Sequence, residues 1–202
     1  MGSSGPVNPD GGVETITFEG GNCCQLTVRN SAGATVADVT ITVECAHAWI
    51  DLVTEPPEEA RGCPNEAVFE AAAQQQFENG FMIWLESDRT IYVFYERGVV
   101  DSEQRFDSVP DEFREGDADS DPAINPPEGL FQPVRGFGLV WRTHLSVRDR
   151  LGWATGPEVG YQGWRQGFAG YNRLAYYTLL QGEDGTLYLL DEMAHTWEIY
   201  SP

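Results

Sequence analysis

"QQQFENGFMIWLESDRTIYVFY", residues 74–95, decides the fold class. It holds six aromatics, and two apolar runs, FMIWL and TIYVFY, flank the turn residues ESDR. That is the pattern of a β-hairpin. A comparable stretch returns at residues 165–190, RQGFAGYNRLAYYTLLQGEDGTLYLL, where Asp184-Gly185 is a strong turn signal. A last strand, TWEIY, ends the chain at residues 196–200.

Working outward, PNEAVFEAAAQQQF (residues 64–77) reads as a short helix. Pro64 suits its first turn, Glu66 and Glu70 favour its N-terminal dipole, and Ala67, Val68, Ala71 and Ala72 make a thin apolar face. Residues 101–128 carry ten acids, two arginines and four prolines. Ser108 to Asp111 has capping-box spacing for a short helix, and the rest reads as a long acidic loop, a kind of segment that is often functional. Residues 129–142 resume apolar character. Ser146 can cap a short helix, SVRDRLG, closed by Gly152, and residues 152–164 form a Gly-rich turn region.

The N-terminal third differs. Residues 1–12 are Gly/Ser/Pro-rich and read as a tag or tether, with no secretory signal visible. Residues 13–55 alternate apolar and polar (ETITF, QLTVRN, TVADVTITVEC) around the turn NSAG, as a three-strand meander or part of a small sandwich would. Such a segment is too small to stand without staples. Its cysteines, Cys23, Cys24 and Cys45, together with Cys63 at the end of the linker at 54–64, suggest two disulfides and an oxidising compartment. A ring between adjacent Cys23 and Cys24 is strained, which leaves two pairings, each joining one of them to Cys63. Free thiols, or a zinc site with His47, are the rival readings; adjacent cysteines do not suit the usual metal-ligand spacing.

The net charge is −20, from 32 acids against 12 bases, and all the bases are arginines. That balance repels nucleic acid and anionic membranes, and leaves divalent cations and neutral polysaccharides as compatible partners. The absence of lysine excludes Schiff-base chemistry and a P-loop. No apolar run approaches a membrane span, so no membrane insertion is expected.

Two blocks, about 62–100 and 150–200, can be laid over each other. Each has a Gly-containing opener, an acid, a Gln-Phe-Gly turn and an apolar-Tyr-apolar triplet. The opener Leu151, Gly152, Ala154, Thr155, Glu158 and the core Gln76, Phe77, Glu78, Gly80, Met82, Trp84 resemble LGFP-type repeats of bacterial surface proteins. GLFQPVRGFGLVWR (129–142) and VRDRLGWAT (147–155) are similar to segments of secreted bacterial modules. The resemblance covers roughly residues 62–200. It implies cell-envelope association, glycan contact and no catalysis.

From 131 to 202 there are 13 aromatics in 72 residues. Trp153, Tyr161, Trp164 and Tyr171, with Glu158, are the candidate ligand-binding residues, because aromatics in Gly-rich turns are less committed to a strand face. In the acidic loop, Asp117, Asp119, Asp121 and Glu128 fall at positions 1, 3, 5 and 12 of an EF-hand-like register, although Pro122 stands where that loop needs glycine. Calcium is the one cofactor this suggests. No serine-hydrolase, zinc-protease or dinucleotide motif is present, and His47, His144 and His195 are scattered. A carboxylate pair for glycoside cleavage would be Glu158 with Asp184 or Glu192.

The expected protein is mainly β with short helices: a small disulfide-stapled β segment, then a two-repeat β domain over 62–202. The expected function is a non-catalytic, extracellular or cell-surface module that binds a cell-wall glycan or other polysaccharide. The alternatives are a structural subunit of a surface assembly, with homo-oligomer contacts, and a carboxylate-based hydrolase.

Overall fold

The structure is a computed structural model that describes residues 25–29, 32, 35–40, 45–60, 63–96, 98, 105–170 and 175–201. It is mainly β. Strands β1 (Gln25–Arg29) and β2 (Thr35–Thr40) pair antiparallel as a separate two-stranded sheet. The expected strand ETITF lies outside the described residues.

Eight further strands close an antiparallel barrel. They are β3 (Val68–Phe77), β4 (Gly80–Leu85), β5 (Thr90–Tyr95), β6 (Arg105–Pro110), β7 (Val159–Ala169), β8 (Tyr176–Gln181), β9 (Leu187–Asp191) and β10 (Thr196–Ile199). β3 to β6 form one meander and β7 to β10 another. The two first strands pair with each other along seven positions, Val68↔Arg165 to Gln74↔Val159, whereas the two last meet at one, Thr196↔Arg105. The barrel therefore has one broad seam and one thin one. The hairpins read from the sequence are β4–β5 and β8–β9, and their turns share a device: Asp88 Oδ1 accepts from Thr90 N–H, and Asp184 Oδ1 from Thr186 N–H. The left-handed residue between them is Arg89 (φ 52°) in one turn and Gly185 (φ 86°) in the other.

Alternation along the strands sends one side chain in and the next out. The inward set is aromatic. Phe81, Phe94, Tyr188 and Trp197 meet at ring separations of 4.4–5.6 Å, and Trp197 Nε1 donates to Tyr95 O at 3.1 Å. With Ile83, Leu85, Phe106, Leu180 and Leu190 they fill the interior as a packed core. Polar groups cap its ends. Glu70 accepts from Ser87 N–H and pairs with Arg165, which also reaches Asp88; Gln74 accepts from Glu183 N–H.

Both outer faces are covered. On one side α1 (Arg135–Thr143) and α2 (Leu145–Leu151) pack Phe137, Val140, Trp141, Val147 and Leu151 on Met82, Ile91, Val93 and Tyr95. On the other, residues 45–60 lay Ile50 and Val53 on Phe168, Leu179, Leu187 and Leu189. Gln166, fully buried, holds this strap: its Oε1 accepts from Ile50 N–H and its Nε2 donates to Ala48 O and Asn65 O.

Four expectations change. The segment 64–77 is no helix; from Val68 it is β3, a strand shared between β4 and β7. Its alanines favour a helix locally, but a strand buried on both faces needs small side chains there, and tertiary pairing overrides propensity. The expected helix at Ser108–Asp111 is the end of β6, and Asp111 turns the chain out of the sheet. α2 begins from His144, not from Ser146, and ends as expected at Gly152 (φ 74°). Finally, Cys45 bonds to Cys63, which neither favoured pairing allowed. The elimination assumed that all four cysteines are bonded, so that setting aside a Cys23–Cys24 ring also set aside Cys45–Cys63; the observed bond instead ties the segment before the linker to the linker's end. Cys23 and Cys24 lie outside the described residues.

Candidate functional site

Several residues of the two similar blocks, Glu78, Gly80 and Gly152 among them, are spent on the fold. Glu78 Oε2 accepts from Trp153 N–H at 2.8 Å, Glu78 N–H donates to Trp153 O, and Asn79 donates to Leu151 O and Arg150 O. The turn after β3 thus grips the end of α2. Gly80 (φ 148°) sits where a side chain would overlap the Phe94 carbonyl oxygen, and at Gly152 a side chain would overlap the Glu78 carboxylate.

The aromatic turn residues do not form one patch. Trp153 belongs to the helix side: it lies 5.0 Å from Trp141, and the Arg148 guanidinium stands over both rings. Tyr161 points into the barrel, where its hydroxyl donates to Gln181 O, and burial holds its phenol above the ordinary range. Trp164, three residues on, faces outward on the strap side and packs on the exposed Phe69 at 4.9 Å. Tyr171 lies outside the described residues. The acidic-loop carboxylates serve local turns: Asp117 accepts from Arg114 N–H and Asp121 from Ala123 N–H. Among the described residues no three His, Cys, Asp or Glu side chains converge as a metal group. The expected carboxylate partners are also dispersed: Glu192 bonds Thr178 near one barrel end, and Asp184 is in the β8–β9 turn.

Glu158 is different. It lines a cavity of about 320 Å³ between α1 and the outer wall of β3, β4 and β5, with Trp84, Asp111, Phe113, Arg135 and Phe137. Each wall has a local cause. Trp84 is an outward residue of β4, and its indole N–H donates to Asp111 Oδ2 at 3.0 Å. Asp111 is held further by Arg89 at 3.0 Å and by Phe113 N–H at 3.0 Å. Gly136 lets α1 press against this carboxylate: a Cβ there would come within 2.7 Å of Asp111 Oδ1. Val134, the N-cap of α1, makes no side-chain cap and no acid lies in the first turn. Asp111 supplies the negative charge that the helix start favours. Glu158 is delivered by the segment crossing β3, which is pinned by Thr155 N–H to Gln76 O and by Gln75 Nε2 to Gly156 O at 2.9 Å.

Compared with known proteins, this chain matches no family model, no curated protein and no solved structure. The site's chemistry therefore rests on its own groups. Asp111 is fully engaged. The Glu158 carboxylate and the Arg135 guanidinium have no hydrogen-bond or ion-pair partner among the described residues, while the Arg135 backbone N–H donates to Asp119 O at 2.9 Å. Burial raises the Glu158 carboxyl above its usual range; Arg135 opposes that shift and Asp111 adds to it. Arg135 also has a left-handed backbone, φ 50°, a costly conformation outside glycine and one that clusters at functional positions. An acceptor and a donor left free beside aromatic faces can bind a polar ring. Of the expected ligand-binding residues the structure places Glu158 in this cavity; Trp84, Asp111, Phe113 and Arg135, which line it too, are not among them. The available signal was Arg135-Gly136 opening an apolar helix without a capping side chain.

Proposed function

We propose that this protein is a non-catalytic module of the cell exterior that holds a saccharide ring in the cavity beside α1. The observation that carries the reading is the pair of unengaged groups, Glu158 and Arg135, in a cavity walled by Trp84, Phe113 and Phe137. A carboxylate accepts from sugar hydroxyls, a guanidinium donates to ring and hydroxyl oxygens, and aromatic faces pack on C–H faces. The cavity volume is at the small end of ligand pockets, about 300–1,000 Å³. The net charge of −20 favours neutral over anionic polymers.

Titration calorimetry against soluble peptidoglycan fragments and neutral glucan oligosaccharides tests this. Binding should weaken at least tenfold in Glu158→Gln and in Trp84→Ala, and stay unchanged in Trp164→Ala. Equal affinity in all three variants, or no binding across the panel, overturns the reading.

One observation favours hydrolysis as a second reading: a carboxyl raised by burial, Glu158, shares the cavity with Asp111, whose carboxylate accepts from the Trp84 indole, Arg89 and Phe113 N–H. Two carboxyl environments of this kind can divide acid and charge-stabilising roles. Release of reducing ends that is lost in Glu158→Gln would establish it.

A further inference from the structure

Asp111 and Phe113 border more than the cavity beside α1. These two residues also line a second cavity of about 850 Å³, walled further by Glu112, Arg114, Glu115 and Asp117 of the acidic loop. Phe113 is half-buried and is the one aromatic residue that borders both spaces. Arg89 holds both shared residues by donating to Asp111 Oδ2 and to Phe113 O at 2.8 Å. In the second cavity the Glu112, Arg114 and Glu115 side chains are exposed and have no partner among the described residues. The first cavity is sized for one small ring, and the second has more than twice its volume.

Resting on the saccharide reading above, we infer that the ligand is a chain rather than a single sugar, with one unit beside α1 and the next units running past Phe113 along the acidic loop. The charges select its chemistry. The second cavity sets four carboxylates, Asp111, Glu112, Glu115 and Asp117, against two arginines, Arg89 and Arg114. One of those arginines is already paired with Asp111. A uronate or sulfated unit would meet uncompensated negative charge, whereas neutral or amino-bearing units would find free acceptors. The loop thus acts as a selector for uncharged or cationic polysaccharide.

Calorimetry with size-sorted oligosaccharides of one to six units tests this, using neutral glucan, N-acetylglucosamine and galacturonate series. In a neutral series the dissociation constant should fall at least tenfold from one unit to three. The double variant Arg114→Ala, Glu115→Ala should bring the three-unit ligand back to the affinity of the one-unit ligand. The galacturonate series should not bind. Equal affinity for one and three units, or tight galacturonate binding, overturns the chain proposal and leaves the single-ring reading standing. No binding at any length overturns both.

Discussion

Removing the Cys45–Cys63 bond should destabilise the barrel by an amount its position sets. The bond spans 18 residues and closes the strap that lays Ile50 and Val53 over β7, β8 and β9. The chain-entropy relation for a loop of that length gives about 3 kcal/mol at room temperature. For a chain of this size that corresponds to a fall in Tm of roughly 6–12 °C. The strap's hydrogen bonds, two through Gln166 and one from the Tyr200 hydroxyl to Glu55 O, remain available after the cut. The strap should therefore loosen before the barrel opens. The assay is thermal unfolding of the Cys45→Ser, Cys63→Ser variant against wild type, each with and without reductant, with a hydrophobic dye as a second probe. The expected result is a lower Tm, with dye binding at temperatures below the main transition as Phe168, Leu179, Leu187 and Leu189 are uncovered. A Tm within about 2 °C of wild type would refute the reasoning. So would reductant lowering the variant's Tm as far as it lowers that of wild type, since the effect would then belong to other cysteines.

Three more perturbations test other parts of the structure. Gly80→Ala combines a left-handed backbone with overlap on the Phe94 carbonyl oxygen; it should cost at least about 3 kcal/mol in denaturant unfolding, against less than about 1 for a surface Gly→Ala at a relaxed site. Trp197→Phe keeps an aromatic ring among Phe81, Phe94 and Tyr188 but leaves Tyr95 O without its indole donor, so a loss of about 1–3 kcal/mol is expected, less than for Trp197→Ala. Glu192 has a carboxyl raised chiefly by burial, with Thr178, His195 and Arg165 opposing. A raised folded-state value means that the native state binds its proton more tightly. Stability is then greatest below the ordinary glutamate range and declines as pH rises through the folded-state value. Glu192→Gln should therefore raise Tm near neutral pH and change it little at pH about 4; an equal effect at both pH values would rule out burial of this charge as the cause.

What the sequence made legible, and what it hid, follows from how a barrel uses alternation. The hairpins β4–β5 and β8–β9 were readable because aromatic and β-branched runs flank short polar turns, a signal that needs no tertiary partner. β3 was not, because its alanine, glutamate and glutamine content answers to its neighbours. Ala72 lies in the aromatic interior and Ala73 under the helices, so both faces demand small side chains. The turn-aromatic patch dissolved for a related reason. Residues 159–164 are already strand, and Tyr161 and Trp164, three apart, must point to opposite sides of the wall. Glu158 escaped that constraint by standing one residue before β7, where the chain still crosses the outside of β3. The residues that share its cavity come from just after β6, the first turn of α1 and the end of β4. Nothing local marks those residues as a group. They meet only because the barrel's outer wall is the floor on which α1 rests, and Gly136 lets the helix start come down onto Asp111. The wall and the helix start bound one cavity and the acidic loop another, and Asp111 and Phe113 border both, so each is completed by separate segments more than by any motif within one of them.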